Sequence, residues 1–136
     1  MARNYFFYIA LFFTVFITVG SLTSIPNAGV PKLTYFDKIV HTSAYFLLTT
    51  SWLIGVKISR TSLKNAFSIA FLVFVYGIII EVLQGAITNQ RQADIYDVLA
   101  NFIGVSTAFI VFVYFLQKKL NEIKNILAKV ILKLLN

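Results

Sequence analysis

Four long apolar stretches alternate with short polar segments along the chain. The apolar stretches cover residues 5–22, 36–56, 66–87 and 95–116. A helix needs about 20 residues to cross the roughly 30 Å hydrocarbon core of a bilayer, and each stretch has about that length. A helix also satisfies its own backbone hydrogen bonds, which lipid cannot do. The pattern therefore predicts an all-α polytopic membrane protein with four transmembrane helices.

The final segment, residues 117–136, is amphipathic rather than uniformly apolar. Its apolar face recurs at steps of three and four, at Leu120, Ile123, Leu127, Val130 and Leu134. Lysines occupy the other face, so we predict a C-terminal amphipathic helix and divide the chain into a transmembrane domain, 1–116, and a basic tail, 117–136. Two interpretations stay open: the tail lies on the cytoplasmic leaflet beside anionic headgroups, or it pairs with other copies as a coiled coil.

Composition excludes the other protein classes. The 136 residues are 59% hydrophobic and 12% charged, whereas a soluble domain has about 25% charged residues. Disordered chains contain far fewer apolar and aromatic residues than this chain does. The net charge of +7 does not indicate nucleic acid, because that partner requires a soluble basic face. The chain has no cysteine, which excludes disulfides and thiolate chemistry.

Lysine and arginine positions predict the orientation. With four spans, the N-terminus, the second connection and the C-terminus lie on one side and carry nine basic residues, against three on the other side. Basic residues accumulate on the cytoplasmic side of a membrane. We therefore expect both termini in the cytoplasm, and the lipid bilayer is the first predicted partner.

Three of the predicted spans carry polar residues along one helix face. An ionisable side chain within a span costs about 2.5–3.5 kcal/mol on insertion, so each requires a local explanation. These stripes are Asp37, His41 and Tyr45 in the second span, Gly77, Glu81 and Gln84 in the third, and Asp94, Asp97, Asn101 and Gly104 in the fourth. Lys38 and Arg91 adjoin them. The two glycines favour close packing between helices.

The polar stripes share a depth. At 1.5 Å per residue, His41 lies about 8 Å and Glu81 about 9 Å inside the outer ends of their spans. Asp97 and Asn101 lie about 5–10 Å inside theirs. The cytoplasmic half holds no comparable cluster. We predict an outward-facing polar pocket between the second, third and fourth helices, with the first helix as a lipid-facing brace.

Several chemistries suit this pocket. His41 beside Asp37 could act as a general base, a proton relay or a metal ligand, or could simply pack between helices. The candidate catalytic residues are His41, Glu81 and Asp97, and the candidate ligand-binding residues are Asp37, Lys38, Tyr45, Gln84, Arg91, Asp94 and Asn101. A divalent cation is a possible cofactor, held by Asp94, Asp97 and Asn101 with Glu81 and His41. Arg91 suits either a lipid phosphate or a surface salt bridge.

The same residues carry a resemblance to a known family. DKIVHTSAY at 37–45 resembles the D-K-x-x-H-x-x-x-Y signature of VanZ-like membrane proteins. EVLQ at 81–84 and RQADIYDVLANFIG at 91–104 resemble that family's other two elements, in the same order. The similarity covers about residues 36–115, and the basic tail lies outside it.

The resemblance implies a small multi-helix protein of the bacterial cytoplasmic membrane, associated with low-level resistance to the glycopeptide teicoplanin. Three functions stay open from the sequence. The protein binds a lipid-linked or headgroup-type ligand of the cell envelope, or is an enzyme that acts on such a lipid, or is part of a proton-coupled transporter. The small size and the one-sided polar cluster count against transport.

Overall fold

The structure is a computed structural model that describes residues 2–23, 34–56, 63–87 and 93–135. Within these ranges it contains four helices and no strand. The helices are α1 (Ala2–Leu22), α2 (Thr34–Gly55), α3 (Leu63–Ile87) and α4 (Ile95–Leu135). All four apolar stretches are therefore helical, and the predicted all-α class is confirmed.

The central pair of the bundle is α2 and α4, which pack over a longer contact than any other two helices. They run parallel, since Lys38 near the start of α2 reaches Asp94, and Thr42 one turn later donates a hydrogen bond to the carbonyl of Ala100 (3.2 Å). The backbones nearly touch at Gly104, where an added Cβ would lie 2.3 Å from the Thr42 carbonyl oxygen. Only a residue without a side chain fits this crossing.

The third helix runs antiparallel to the central pair. Ring contacts join α3 to α4 at Phe74–Phe102 (5.4 Å between centroids) and Phe67–Phe109 (6.1 Å). On the α2 side, Gly77 lies against the ring of Tyr45, 2.8 Å from an added Cβ to Cε1. Gly77 and Gly104 are thus both close-packing positions, as the sequence predicts.

The first helix packs on α2 and α3 and, in the described part of the chain, does not contact α4. Its backbone at Phe7 approaches Gly55, with 2.9 Å between the Phe7 amide nitrogen and an added Cβ. Most of its large side chains face outward, including Tyr5, Tyr8, Phe12, Val15 and Phe16. This placement fits the predicted lipid-facing brace.

Among the described residues, three helical segments are long and apolar enough to cross a membrane: Tyr5–Leu22 in α1, Leu63–Ile87, and Ile95–Phe115 in α4. The fourth predicted span, α2, has 22 residues and is long enough, but it is not among the three. The reason lies in its polar residues, since Asp37, Lys38 and His41 lower its mean hydropathy. Length and composition thus support a membrane protein with three candidate spanning helices.

The tail differs from the prediction. The candidate span in α4 ends at Phe115, next to the predicted residue 116, but the helix continues without a break to Leu135, so the tail is not a separate helix. Its 41 residues extend about 61 Å at 1.5 Å per residue. About half of this length lies beyond the apolar segment, and Ile126, Val130 and Ile131 are exposed there.

Candidate functional site

The helix directions bring three polar helix ends together. Because α2 and α4 are parallel and α3 is antiparallel to them, the first turns of α2 and α4 meet the last turns of α3. The predicted site residues that share this end are Asp37, Lys38, His41, Tyr45, Glu81, Gln84, Asp94, Asp97 and Asn101; we call them the polar cluster. Arg91, also predicted here, lies outside the described residues.

Lys38 joins α2 to the start of α4. Its ammonium group lies 2.5 Å from Asp94 Oδ2 and also donates to Asp97 Oδ1. Asp94 in turn caps α4, because its Oδ1 accepts the amide hydrogen of Tyr96 (2.9 Å). The Lys38 ammonium, assisted by the Tyr96 amide, holds the pKa of the Asp94 carboxyl below its usual range. Asp94 is therefore ionised at neutral pH.

His41 is held in one orientation. Its Nδ1 lies 3.1 Å from Oδ1 of Asn101, and its Nε2 lies 4.0 Å from Oδ2 of Asp97. An amide oxygen only accepts hydrogen bonds, so with Asn101 in this orientation Nδ1 carries a proton. Nε2 is then the ring nitrogen that faces Asp97.

Glu81 links α3 to the α4 cap. Its Oε1 accepts the backbone amide hydrogen of Asp94 (2.9 Å), and its side chain is buried. The bond joins α3 to the residue that caps α4. Gln84 lies one turn further along the same face and is also buried.

Two buried hydrogen-bonding groups have no partner within the part of the chain that the structure describes. They are the hydroxyl of Tyr45 and Nδ2 of Asn101, on residues only 2% and 1% exposed. Both residues border Gly77, whose added Cβ would lie 3.2 Å from Tyr45 Cζ and 3.4 Å from Asn101 Nδ2. A buried polar group without a partner costs about 1–3 kcal/mol, so water or a bound molecule that accepted hydrogen bonds from these groups would stabilise the site.

Exposure decreases from one end of the polar cluster to the other. The side chains of Asp94 and Lys38 are 38% and 24% exposed, whereas Asp97 is 9% exposed. Asn101 and Tyr45 are deeper still. The polar cluster is thus accessible at the first turns of α2 and α4.

Three side chains, including His41, bring possible metal-ligating atoms close together. One atom each of Asp37, His41 and Asp97 lies within 4.8 Å of the others. The cation site expected from the sequence also contains His41 and Asp97. In the structure, however, the third member of the set is Asp37, which was not among the expected cation ligands. The spacing of Asp37 and His41, four residues apart on one helix, is the signal in the sequence that places them together.

Family comparison connects this geometry with known proteins. A family model described as VanZ/LLP1 matches residues 2–117, which is most of the chain. The chain belongs to the VanZ/LLP1 family. The resemblance of the three motifs is thereby confirmed, and in this VanZ-family protein those motifs supply every residue of the polar cluster. No curated protein and no solved structure matches the chain.

A second polar contact in this VanZ-family protein was not predicted. The hydroxyl of Tyr76 lies 2.8 Å from that of Thr18 and donates to the carbonyl of Thr14 (2.9 Å), while the indole of Trp52 donates to the Thr14 hydroxyl (3.2 Å). These bonds attach α1 to α2 and α3. The available signal in the sequence is the spacing of Thr14 and Thr18, four residues apart within the uncharged stretch 5–22.

An apolar cavity of about 360 Å³ lies beside this contact, between α1, α2 and α3. It is lined by Thr14, Leu48, Trp52, Val56, Ile69, Leu72, Val73 and Tyr76. Since Trp52 and Val56 stand at the far end of α2, the cavity does not coincide with the polar cluster. The outward-facing polar pocket stays a prediction.

Proposed function

We propose that this VanZ-family protein binds the polar headgroup of an envelope lipid or lipid-linked precursor through its polar cluster. We further propose that this binding lowers the sensitivity of the cell to teicoplanin-type glycopeptides. The observation that carries the proposal is the pair of unpartnered buried groups, Tyr45 Oη and Asn101 Nδ2, inside a cluster assembled from three helices. Carboxylates beside them can accept hydrogen bonds from the hydroxyl and amide groups of such a headgroup.

The proposed setting is the bacterial cytoplasmic membrane, with four spans and both termini inside. The distribution of nine basic residues against three supports this orientation. Although α2 is too polar to qualify by composition, Lys38, His41 and Thr42 all bond to residues of α4 or its cap. Polar side chains that bond within a bundle do not face lipid, so α2 can cross the membrane as the central helix.

A binding measurement tests the proposal. The protein in nanodiscs is titrated with a short-chain lipid-linked disaccharide–pentapeptide, and separately with phosphatidylglycerol, and the shift in unfolding temperature is recorded. We expect stabilisation by a headgroup ligand that Tyr45→Phe reduces several-fold. Tyr114→Phe is the matched control, because Tyr114 is 67% exposed and lies on α4 away from the polar cluster. Equal stabilisation of both variants, or none of the wild type, would contradict headgroup binding.

The cellular role has its own test. Teicoplanin and vancomycin susceptibility are measured in a host that expresses the wild type, Tyr45→Phe or Tyr114→Phe at equal membrane levels. We expect protection against teicoplanin from the wild type and Tyr114→Phe, and loss of protection with Tyr45→Phe. Identical susceptibility with and without the protein would remove the resistance role while leaving headgroup binding to be judged by the titration.

The orientation of His41 favours a second candidate, an enzyme that acts on the same class of lipid. A histidine whose Nδ1 is fixed and whose Nε2 lies near a carboxylate is arranged for proton transfer. In this case His41→Gln abolishes turnover of the lipid but leaves its binding intact. Turnover that persists in His41→Gln would exclude this candidate.

A further inference from the structure

We propose that Asp37, His41 and Asp97 form a binding site for one divalent transition-metal ion of the Zn²⁺ or Mn²⁺ class. The site goes beyond headgroup binding, because the chain alone supplies its ligands and no lipid is needed to form it. It also differs from the cation site that the sequence predicts, since Asp37 replaces Glu81, Asp94 and Asn101.

The spacing of the ligand atoms fits a small ion. Metal bonds of about 2.0–2.2 Å to imidazole nitrogen and carboxylate oxygen place neighbouring ligands of a tetrahedral ion about 3.4 Å apart. His41 Nε2 and Asp97 Oδ2 lie 4.0 Å apart, and all three ligand atoms lie within 4.8 Å of one another. The ligand atoms would therefore have to move closer together when an ion binds.

The surrounding residues hold the ligands as they are held in metal sites. A ligating histidine almost always donates its other ring N–H to an oxygen, which fixes the tautomer. Here Nδ1 of His41 meets Oδ1 of Asn101 (3.1 Å), so that Nε2 is the nitrogen left for an ion. Asp97 is likewise held through Oδ1 by Lys38, which leaves Oδ2 facing His41.

Asn101, which orients the His41 ring, is itself buried. Asn101 is 1% exposed, its oxygen is used by His41, and its Nδ2 has no partner among the described residues. Three protein ligands leave at least one position on a four-coordinate ion for water or a substrate atom.

Charge and ligand type select the ion. Four carboxylates of the polar cluster, against the single ammonium of Lys38, give the described part of the cluster a formal charge of −3 with His41 neutral. A dication reduces this charge to −1. One imidazole nitrogen with two carboxylate oxygens suits Zn²⁺ or Mn²⁺, whereas Ca²⁺ and Mg²⁺ prefer oxygen ligands throughout.

The composition of the chain makes a direct test possible. His41 is the only histidine and cysteine is absent, so the chain offers no other imidazole or thiolate to a metal. The full-length protein, purified in detergent without a histidine tag and labelled with ¹⁵N-histidine, is titrated with ZnCl₂. We expect one equivalent to move the Nε2 resonance away from that of a free ring nitrogen while Nδ1 keeps its proton. An unchanged Nε2 resonance at several equivalents overturns the proposal.

Variants identify the ligands. We expect Asp37→Asn to weaken Zn²⁺ binding, measured by calorimetry, more than about tenfold, and Asn101→Ala to weaken it about 10–100-fold through the lost orientation of His41. Glu122→Gln, at an exposed acid of the tail, is the control and should leave binding unchanged. Each variant is first matched to the wild type by circular dichroism. Unchanged affinity in Asp37→Asn, or Ca²⁺ bound as tightly as Zn²⁺, overturns the proposal.

Discussion

Lys38 is the residue through which the first turn of α2 holds the beginning of α4. It contacts both Asp94 and Asp97, although these two carboxylates differ in exposure. Asp97 is nearly enclosed, so its charge has little access to water and depends on the lysine. A buried ion pair contributes little net stability, because both charges lose their hydration. Removing only one partner is nevertheless costly, because the other charge then stays buried without a partner.

This asymmetry gives a prediction for Lys38→Met. We expect the free energy of unfolding, measured by denaturant titration in detergent, to fall by about 1–3 kcal/mol at pH 7. The second substitution in Lys38→Met/Asp97→Asn should restore part of the loss, because the unpaired charge is then gone. A double variant that is less stable than Lys38→Met would mean that the Asp97 charge is satisfied elsewhere.

At the scale of elements, the apolar pattern was sufficient to predict the helices. Four apolar runs of span length became four helices, and the i, i+4 stripes came together as a cluster because polar faces in an apolar bundle turn towards one another. The pattern did not predict that α4 continues as one helix into the tail. A change from apolar to amphipathic residues at 116 alters the environment that a helix prefers, but α-helical hydrogen bonding continues across it.

The sequence pattern also could not predict which pairs of residues are in contact. Spacing places Asp37, His41 and Tyr45 on one face, but it does not say which neighbouring helix they meet. The choice of Asn101 as the partner of His41 depends on the parallel packing of α2 and α4 and on the small residue at the crossing. The contacts of Tyr76 with α1 likewise join residues 58 and 62 positions apart, which local periodicity cannot relate.

The helix crossing gives a second prediction. Gly104→Ala places a methyl group 2.3 Å from a backbone carbonyl, so α2 and α4 must separate. We expect a loss of about 1–3 kcal/mol in the free energy of unfolding. Gly20→Ala is the matched control, since nothing lies within 4 Å of an added Cβ there and alanine favours the helix. Equal stability of the two variants would show that the crossing is looser than described.

At the scale of the whole molecule, the helix directions put all the polar cluster at one end of the bundle and the tail beyond the other. In the proposed orientation, with both termini in the cytoplasm, the polar cluster would lie at the outer side of the membrane, where it could meet antibiotics and envelope precursors. This arrangement would reverse if the protein were inserted the other way, so orientation is central to the proposed function.

Because the chain has no cysteine, its orientation can be measured by labelling single introduced cysteines, with no background from native thiols. We expect Lys118→Cys to react with a membrane-impermeant maleimide only after the cells are opened, and Ala93→Cys to react in intact cells. The wild type, which has no thiol, gives the blank. Labelling of Lys118→Cys in intact cells would place the tail outside and would contradict the predicted orientation.

The unbroken course of α4 has a mechanical consequence. From the Gly104 crossing to Leu135 the helix extends about 46 Å, as one rod with no hinge residue such as proline or glycine along the way. A tilt of about 5° at the crossing would carry its far end through about 4 Å. If α4 turned as one rod about the crossing, a small displacement of the end that Lys38 holds would become a larger displacement at the far end of the basic tail.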